Sequence, residues 1–477
     1  MARFTSLDQV QSKIRSGELT LTAIVEYYLE RIEATTGYNI YIEVYRAEAL
    51  ERAAKLDQKF QQAPESIGKL FGMVLSVKDV ICHAGHKVSA ASEILKGYES
   101  PFSATAIERV LAEDAIIIGR VNCDQFAMGS TNENSIYGPV KNFADPSKIP
   151  GGSSGGSAVS VQADTCLASL GSDTGGSVRQ PASFCGVVGF KPSYGRISRH
   201  GLLAYASSFD QIGTLTHSIS DAALLAEIMA GPDEFDATLS SKAIESWSSQ
   251  PEFEGRAKIA YFKAATEHES LHPEVKGKTL ELIDKLKAKG HEVSAVDFDL
   301  LDYIIPAYYV LTTAEASTNL SRYDGIRYGQ RSTKAASLEQ VYSNSRAEGF
   351  SNEVKRRIML GTFVLSAGYY DAYYGKAQQV RRLIKERTDE IFKEYDFIIM
   401  PASPVPPWEI GAKIDDPVAI YLSDIFTVQA NMTGVPAISL PAGTFENGMP
   451  FGIQVIANRF KERSLLSFSK YFSGLLG

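Results

Sequence analysis

The chain has 477 residues, 44% of them hydrophobic and 22% charged, and carries a formal net charge of −8. No run reaches the about 20 apolar residues that span a bilayer. The opening MARFTSLDQV lacks the apolar core of a secretory signal, so a cytoplasmic protein without membrane contact is expected. The acidic balance, with no Lys/Arg stripe, excludes a chain that grips a phosphate backbone unaided.

In chain order, Ser6 followed by Gln9 reads as a helix-opening capping box, with Leu7, Val10 and Ile14 on one face. Residues 21–34 and 47–60 continue the helical period. At Phe71 the period changes, and FGMVLSVKDV becomes a short apolar run suited to a buried strand that delivers Lys78 at its end. TAIERVLAEDA followed by AIIIGRVN reads as helix then strand. Later apolar runs (CLASLGSD, CGVVGF, KIAYF, DFIIMP, AISLPAG and FGIQVIA) alternate with helical stretches at 220–230, 273–289 and 371–394. That alternation predicts an α/β fold with a largely buried sheet. Residues 232–256 are polar and turn-rich and read as a surface excursion.

With no internal repeat and no long linker, the whole chain, 1–477, is expected to be one domain. It divides into a helical N-terminal segment at 1–60 and a sheet core with helical excursions at 61–477. Cys82, Cys123, Cys166 and Cys185 form no C-x-x-C pair and read as small buried thiols. His83 and His86 sit three apart with no third ligand nearby, so they read as a loop and no metal site is expected.

The most unusual stretch lies at 149–177. It opens on Ile149-Pro150-Gly151-Gly152-Ser153-Ser154-Gly155-Gly156-Ser157 and ends on Gly171-Ser172-Asp173-Thr174-Gly175-Gly176-Ser177. Two Gly-Gly-Ser turns thus flank a helix-like AVSVQADT and an apolar strand. Glycine at this density lets consecutive backbone N–H groups approach a ligand closely. Three readings compete: a phosphate loop, which lacks the G-K-[ST] signature; a flexible linker, which would not be followed at once by apolar runs; and a turn that presents a serine beside oxyanion donors.

A serine hydroxyl needs a base to remove its proton. None of the seven histidines falls within the Ser/Gly centre. Lys78, at the end of its apolar strand, is the better candidate, because burial disfavours its charged form. Its ordinary value of about 10.4 must fall to roughly 7–8 for effective base catalysis. The competing reading is a structural lysine paired with Asp79.

VKDV at 77–80, PGGSSGGS at 150–157 and GSDTGGSVRQPASFCGVVGFKPSYGR at 171–196 together resemble the amidase signature family. The three motifs stand in the family's order, and the resemblance runs over essentially the whole chain. It implies the amidase-signature fold, α/β with a large mixed central sheet covered by helices on both faces. It also implies a relay of Lys78, Ser153 and Ser177, with Ser177 as nucleophile and a cis peptide bond before Ser153. The N–H groups of Thr174, Gly175, Gly176 and Ser177 are implied as the oxyanion hole.

Within the family, the chain is similar to members that act as the glutaminase of a three-subunit, tRNA-dependent amidotransferase. That likeness implies glutamine as substrate, with Arg357 for its carboxylate, Asp424 for its ammonium and Tyr308 lining the pocket. Arg356 is an alternative to Arg357. No cofactor is expected in this chain. ATP and magnesium are expected on a partner B subunit that holds misacylated tRNA, and a small C subunit is expected to clamp the two together. The choice between Glu-tRNA and Asp-tRNA would lie with the partners. Asp124-Gln125 departs from the family's usual Asp-Glu. Two alternatives remain: a stand-alone amidase for small or aryl amides, and an inactive scaffold, against which the intact Lys78, Ser153 and Ser177 argue.

Overall fold

The computed structural model describes residues 3–249, 251–412 and 422–476. Its first helix, α1 (Leu7–Arg15), opens as expected, with the Ser6 hydroxyl accepting the Gln9 N–H at 3.3 Å and Leu7, Val10 and Ile14 buried. The reciprocal half of the capping box shifts by one residue, since Gln9 Oε1 accepts the Thr5 N–H at 3.0 Å. Helices α2 (Leu21–Ala34) and α3 (Arg46–Gln62) follow. Between them lies a strand, β1 (Tyr41–Val44). The segment 1–60 is therefore not wholly helical. Tyr41-Ile42-Glu43-Val44 is too short and too exposed to announce itself by apolar pattern, yet it pairs with the sheet edge.

The remaining strands are β2 (Val74–Lys78), β3 (Ile116–Val121), β4 (Ala168–Asp173), β5 (Val188–Lys191), β6 (Gln211–Thr216), β7 (Lys258–Phe262), β8 (Glu292–Val296), β9 (Phe397–Pro401), β10 (Ala437–Thr444) and β11 (Pro450–Ala457). Together they form one 11-stranded sheet in the order β1-β3-β2-β4-β6-β5-β10-β11-β9-β7-β8. The sheet is mixed. β3, β2 and β4 run parallel, as do β9, β7 and β8, while β6, β5, β10 and β11 join these groups by antiparallel pairings. Every residue of β2, β3, β4, β5, β6, β9 and β11 is buried. Successive side chains of a strand point to opposite faces, so both faces of the central sheet are covered.

The remaining helices are α4 (Thr105–Ala112), α5 (Gly155–Gln162), α6 (Arg179–Cys185), α7 (Ile219–Met229), α8 (Lys263–Thr266), α9 (Pro273–Ala288), α10 (Leu301–Asn319), α11 (Leu338–Gly349), α12 (Asn352–Val364), α13 (Lys376–Glu394), α14 (Val428–Thr433) and α15 (Glu462–Ser473). Of the helices, α3, α5, α6, α7, α8, α9 and α15 pack against the strands and supply the cover. One apolar cluster runs from Phe4 to Phe472 through the sheet. The four cysteines are buried free thiols, as their isolation in the sequence suggested. Among the described residues no helix is long and apolar enough to cross a membrane.

Candidate active site

β2 and β4 are parallel neighbours, with Val77 opposite Leu170, so their carboxyl ends lie side by side. Open α/β sheets place their sites at such strand ends. Lys78 closes β2 and Ser172-Asp173 close β4. The Lys78 side chain is fully buried, and its Nζ donates to Ser153 Oγ at 2.7 Å, Ser154 Oγ at 2.8 Å and Ser172 Oγ at 2.9 Å. Burial pushes the ammonium down to about 8, against the upward pull of Cys123 and of the carboxylates of Asp124, Asp173 and Asp210.

Asp79 does not pair with Lys78. It forms an ion pair with Arg120 and accepts the N–H groups of Ser89 and Ala91 at 2.9 and 2.8 Å. The reading of Lys78 as a structural partner of Asp79 is thereby removed.

The Ser/Gly-rich centre is neither linker nor phosphate loop. Residues 151–161 are all buried, and the Gly156 N–H at the start of α5 is already taken by Asn132 Oδ1 at 3.0 Å. The Gly152–Ser153 peptide bond is cis. The Ser153 carbonyl accepts the Asp124 N–H at 3.2 Å, and the Ser177 carbonyl accepts the Ser154 N–H at 3.2 Å. The second of these bonds ties the two serine turns to each other. Ser177 is 8% exposed.

The turn bearing Ser177 is held by a carboxylate that sequence reasoning missed. Asp173 accepts the N–H groups of Gly176 and Val178 at 3.0 and 3.2 Å, both Nε and Nη2 of Arg179 at 3.1 Å, and Asn431 Nδ2 at 2.9 Å. Burial alone would raise its pKa, but the Arg179 guanidinium and these hydrogen bonds win and hold it down to about 2. The Gly176 N–H, expected as an oxyanion donor, is thus already spent on Asp173. Thr174, Gly175 and Ser177 remain, and among the described residues no partner is found for their N–H groups. Thr174 is fixed through its hydroxyl, which donates to Asp210 at 2.6 Å.

Tyr308, on α10, lies against this turn: a Cβ added at Gly175 would stand 2.5 Å from its phenol oxygen. A Cβ at Gly176, whose φ is +130°, would collide with Thr427 Oγ1. Glycine is required at both positions by close approach.

Arg357, on α12, is 5% exposed. It donates from Nε to Glu353 Oε1 at 2.8 Å and from Nη1 to the Tyr205 phenol at 2.9 Å. Arg356 points away into solvent and pairs with the other Glu353 oxygen, which separates the two arginines.

Asp424 is buried. One of its oxygens accepts the Ser130 hydroxyl, and the other, Oδ1, has no partner among the described residues. Burial pushes this carboxyl up to about 7, opposed by Ser130 and Arg357. Tyr308, raised by burial, also feels both Arg357 and Asp424, so these three side chains share one electrostatic neighbourhood beside the Ser177 turn.

Ser130, Ser154, Ser172, Tyr205 and Asp173 are site residues that sequence reasoning missed. Ser154 and Ser172 carried a signal, since both lie inside the Ser/Gly-rich motifs. Among the described residues no histidine bonds to Lys78, Ser153 or Ser177, and no group of three His, Cys, Asp or Glu side chains is placed to hold a metal ion.

The pattern that holds this geometry is a family pattern: the Amidase family model matches residues 23–466. The chain belongs to the amidase family. Among amidase relatives, the A subunit of Glutamyl-tRNA(Gln) amidotransferase from Chlorobaculum parvum is 49% identical over 474 residues, covering 99% of this chain and 98% of the relative. The protein of the same name from Chlorobium phaeobacteroides is 50% identical over 468 residues, covering 98% of each. A crystal structure of the Thermotoga maritima protein of that name superposes with a TM-score of 0.75 at 38% identity, covering 94% of this chain and 93% of that one. The amidase fold expected from the three motifs is therefore the fold observed.

Proposed function

We propose that this chain is the glutaminase component of a tRNA-dependent amidotransferase, which releases ammonia from glutamine for the conversion of Glu-tRNA(Gln) to its amidated form. The observation that carries the reading is the buried Lys78 Nζ bonded to Ser153 Oγ at 2.7 Å beside the Ser177 turn. Near-full-length identity of about half to A subunits of Glutamyl-tRNA(Gln) amidotransferase supports the choice of substrate. In this reading the whole chain acts as one cytoplasmic amidase-signature domain. It works with a B subunit that carries ATP, magnesium and the tRNA, and with a small C subunit that clamps the assembly. The net charge of −8 fits a chain that leaves tRNA binding to its partners.

The chemistry follows from the donors and acceptors present. Neutral Lys78 takes the Ser153 proton, and Ser153 takes that of Ser177, whose Oγ attacks the glutamine amide carbon. The N–H groups of Thr174, Gly175 and Ser177 receive the oxyanion, and removing one such donor typically costs about 2.7–4 kcal/mol. As the tetrahedral intermediate collapses, the proton returns through Ser153 to the leaving nitrogen, and ammonia departs. Water, activated by the same relay, then frees glutamate from Ser177. Arg357 holds the α-carboxylate, a fork suited to bidentate contact. Asp424 Oδ1, unpartnered among the described residues, takes the α-ammonium, and Tyr308 closes the pocket.

The test is ammonia release from glutamine by the full chain, alone and assembled with its two partners. Assembly with tRNA substrate is expected to speed release. Ser177→Ala is expected to lower turnover by about 10⁴-fold or more, and retained turnover removes Ser177 as nucleophile. Preference for simple or aryl amides over glutamine would instead identify a stand-alone amidase.

A further inference from the structure

Gln125, where the sequence departs from the family's usual acidic residue, lies outside the chemistry described so far. It is 1% exposed, and both ends of its carboxamide are committed. Oε1 accepts the Ser351 N–H at 2.8 Å, and Nε2 donates to Ser92 Oγ at 2.8 Å. The Ser92 hydroxyl, having accepted that bond, donates its single proton to the Gly349 carbonyl at 2.9 Å.

These partners are not scattered. Gly349 is the last residue of α11, and Ser351 is the N-cap of α12, its hydroxyl accepting the Val354 N–H at 3.4 Å. One carboxamide therefore pins both sides of the single-residue joint at Phe350. The ring of Phe350 packs 5.7 Å from that of Phe126, the next residue after Gln125. Arg357 lies less than two turns along α12 from this joint.

On the other side, Asp124 donates its N–H to the Ser153 carbonyl and accepts the N–H groups of Asn132 and Asn134 at 2.9 and 3.1 Å. The dipeptide Asp124-Gln125 thus joins the relay serine to the root of the helix that carries the carboxylate-binding arginine.

We propose that Gln125 is a positioning residue: its carboxamide sets the start of α12 and so fixes where Arg357 meets the substrate carboxylate. Rotamer and packing along a rigid helix transmit the placement, and displacement of a binding group by about 1 Å is enough to cost up to a hundredfold. The polarity of the amide is what matters. A carboxylate at this position offers acceptors only. It can still receive the Ser351 N–H, but toward Ser92 it can only accept. The Ser92 proton then turns to it, and the buried Gly349 carbonyl loses its donor, a mismatch of the kind that misplaces a helix end.

This inference rests on the glutaminase reading and deepens it by adding a residue that governs substrate affinity without touching substrate. The experiment compares wild type, Gln125→Glu and Ser92→Ala, each as full chain in the assembled enzyme, on glutamine and on a primary amide without an α-carboxylate. Gln125→Glu is expected to raise KM for glutamine about tenfold, to change kcat less than about twofold, and to leave turnover of the neutral amide as in wild type. Ser92→Ala breaks the same link from the opposite side and is expected to give the same split, and it decides the matter where Gln125→Glu does not fold. Unchanged KM for glutamine in the folded variants, or equal losses on both substrates, overturns the positioning role while leaving the glutaminase reading intact. Wild type that turns over the neutral amide but no glutamine overturns that reading itself.

Discussion

At Lys78, burial holds the ammonium at about 8 while three hydroxyls surround its protons. The base form of a lysine is the neutral one, so catalysis strengthens as pH rises: kcat for glutamine is expected to climb with an apparent midpoint near 8. Asp424 works in the other sense. Its carboxyl, pushed up to about 7, is charged above that value and neutral below it. In the proposed role of Asp424, attraction for the substrate ammonium is lost as pH falls, and KM for glutamine is expected to rise about tenfold by pH 6. Measuring kcat and KM separately across the neutral range checks both limbs. Asp424→Asn should flatten the KM limb while leaving the kcat limb in place, and a kcat independent of pH would sink the role of Lys78. Lys78, Ser153 and Ser177 can be read from the sequence because their motifs are local and ordered. Arg357, Asp424 and Tyr308 are legible only through family likeness, since an isolated Arg, Asp or Tyr says nothing of what it faces until α10, α12 and the 422–427 stretch are packed together.

At the scale of elements, the five residues between β4 and α6 keep their shape through one buried ion pair, Asp173 with Arg179. Removing one partner of a buried pair leaves an uncompensated charge and costs about 3–5 kcal/mol. Asp173→Ala is expected to lose stability in that range by denaturant unfolding. A loss below about 1 kcal/mol would show that the turn stands without the pair. The sign of the pH effect follows from the low folded pKa of about 2. The contribution is present above the unfolded value of about 4 and is lost as pH falls through the window between the two. Neither Asp173 nor its five hydrogen bonds can be read from GSDTGGS alone, because Asn431 arrives from over 250 residues away.

Strand recognition fails for a related reason. β9 (FIIMP) is a continuous apolar run, and β2 (VLSVK) and β3 (IIIGRV) are mostly apolar, so these strands stand out plainly. β1 and β8 are exposed edges, and β6 (QIGTLT) alternates polar and apolar residues within a wholly buried setting. Their identity comes from pairing, which no local pattern records.

For the whole molecule, the central sheet does more than support the site. It brings the end of β2 and the end of β4 together from 95 residues of sequence separation (Lys78 to Asp173), so the proposed relay can assemble only in the folded chain. The α/β class and a largely buried sheet are within reach of the sequence, because alternating apolar runs and helices leave few other arrangements. The mixed, doubly covered sheet is implied only by the likeness of the three motifs to the amidase family. The strand order is out of reach, since it depends on long-range pairing between antiparallel and parallel groups.

The burial of every cysteine carries one more consequence. Thiols succumb to peroxide through their thiolates, but Cys82, Cys123, Cys166 and Cys185 are all enclosed, and burial pushes the Cys123 thiol, whose charge Lys78 feels, up. With a serine as the proposed nucleophile and every thiol enclosed, glutamine turnover is expected to survive hydrogen peroxide and N-ethylmaleimide at doses that silence a glutaminase built on cysteine. Supply of ammonia from this chain would then continue through oxidative stress.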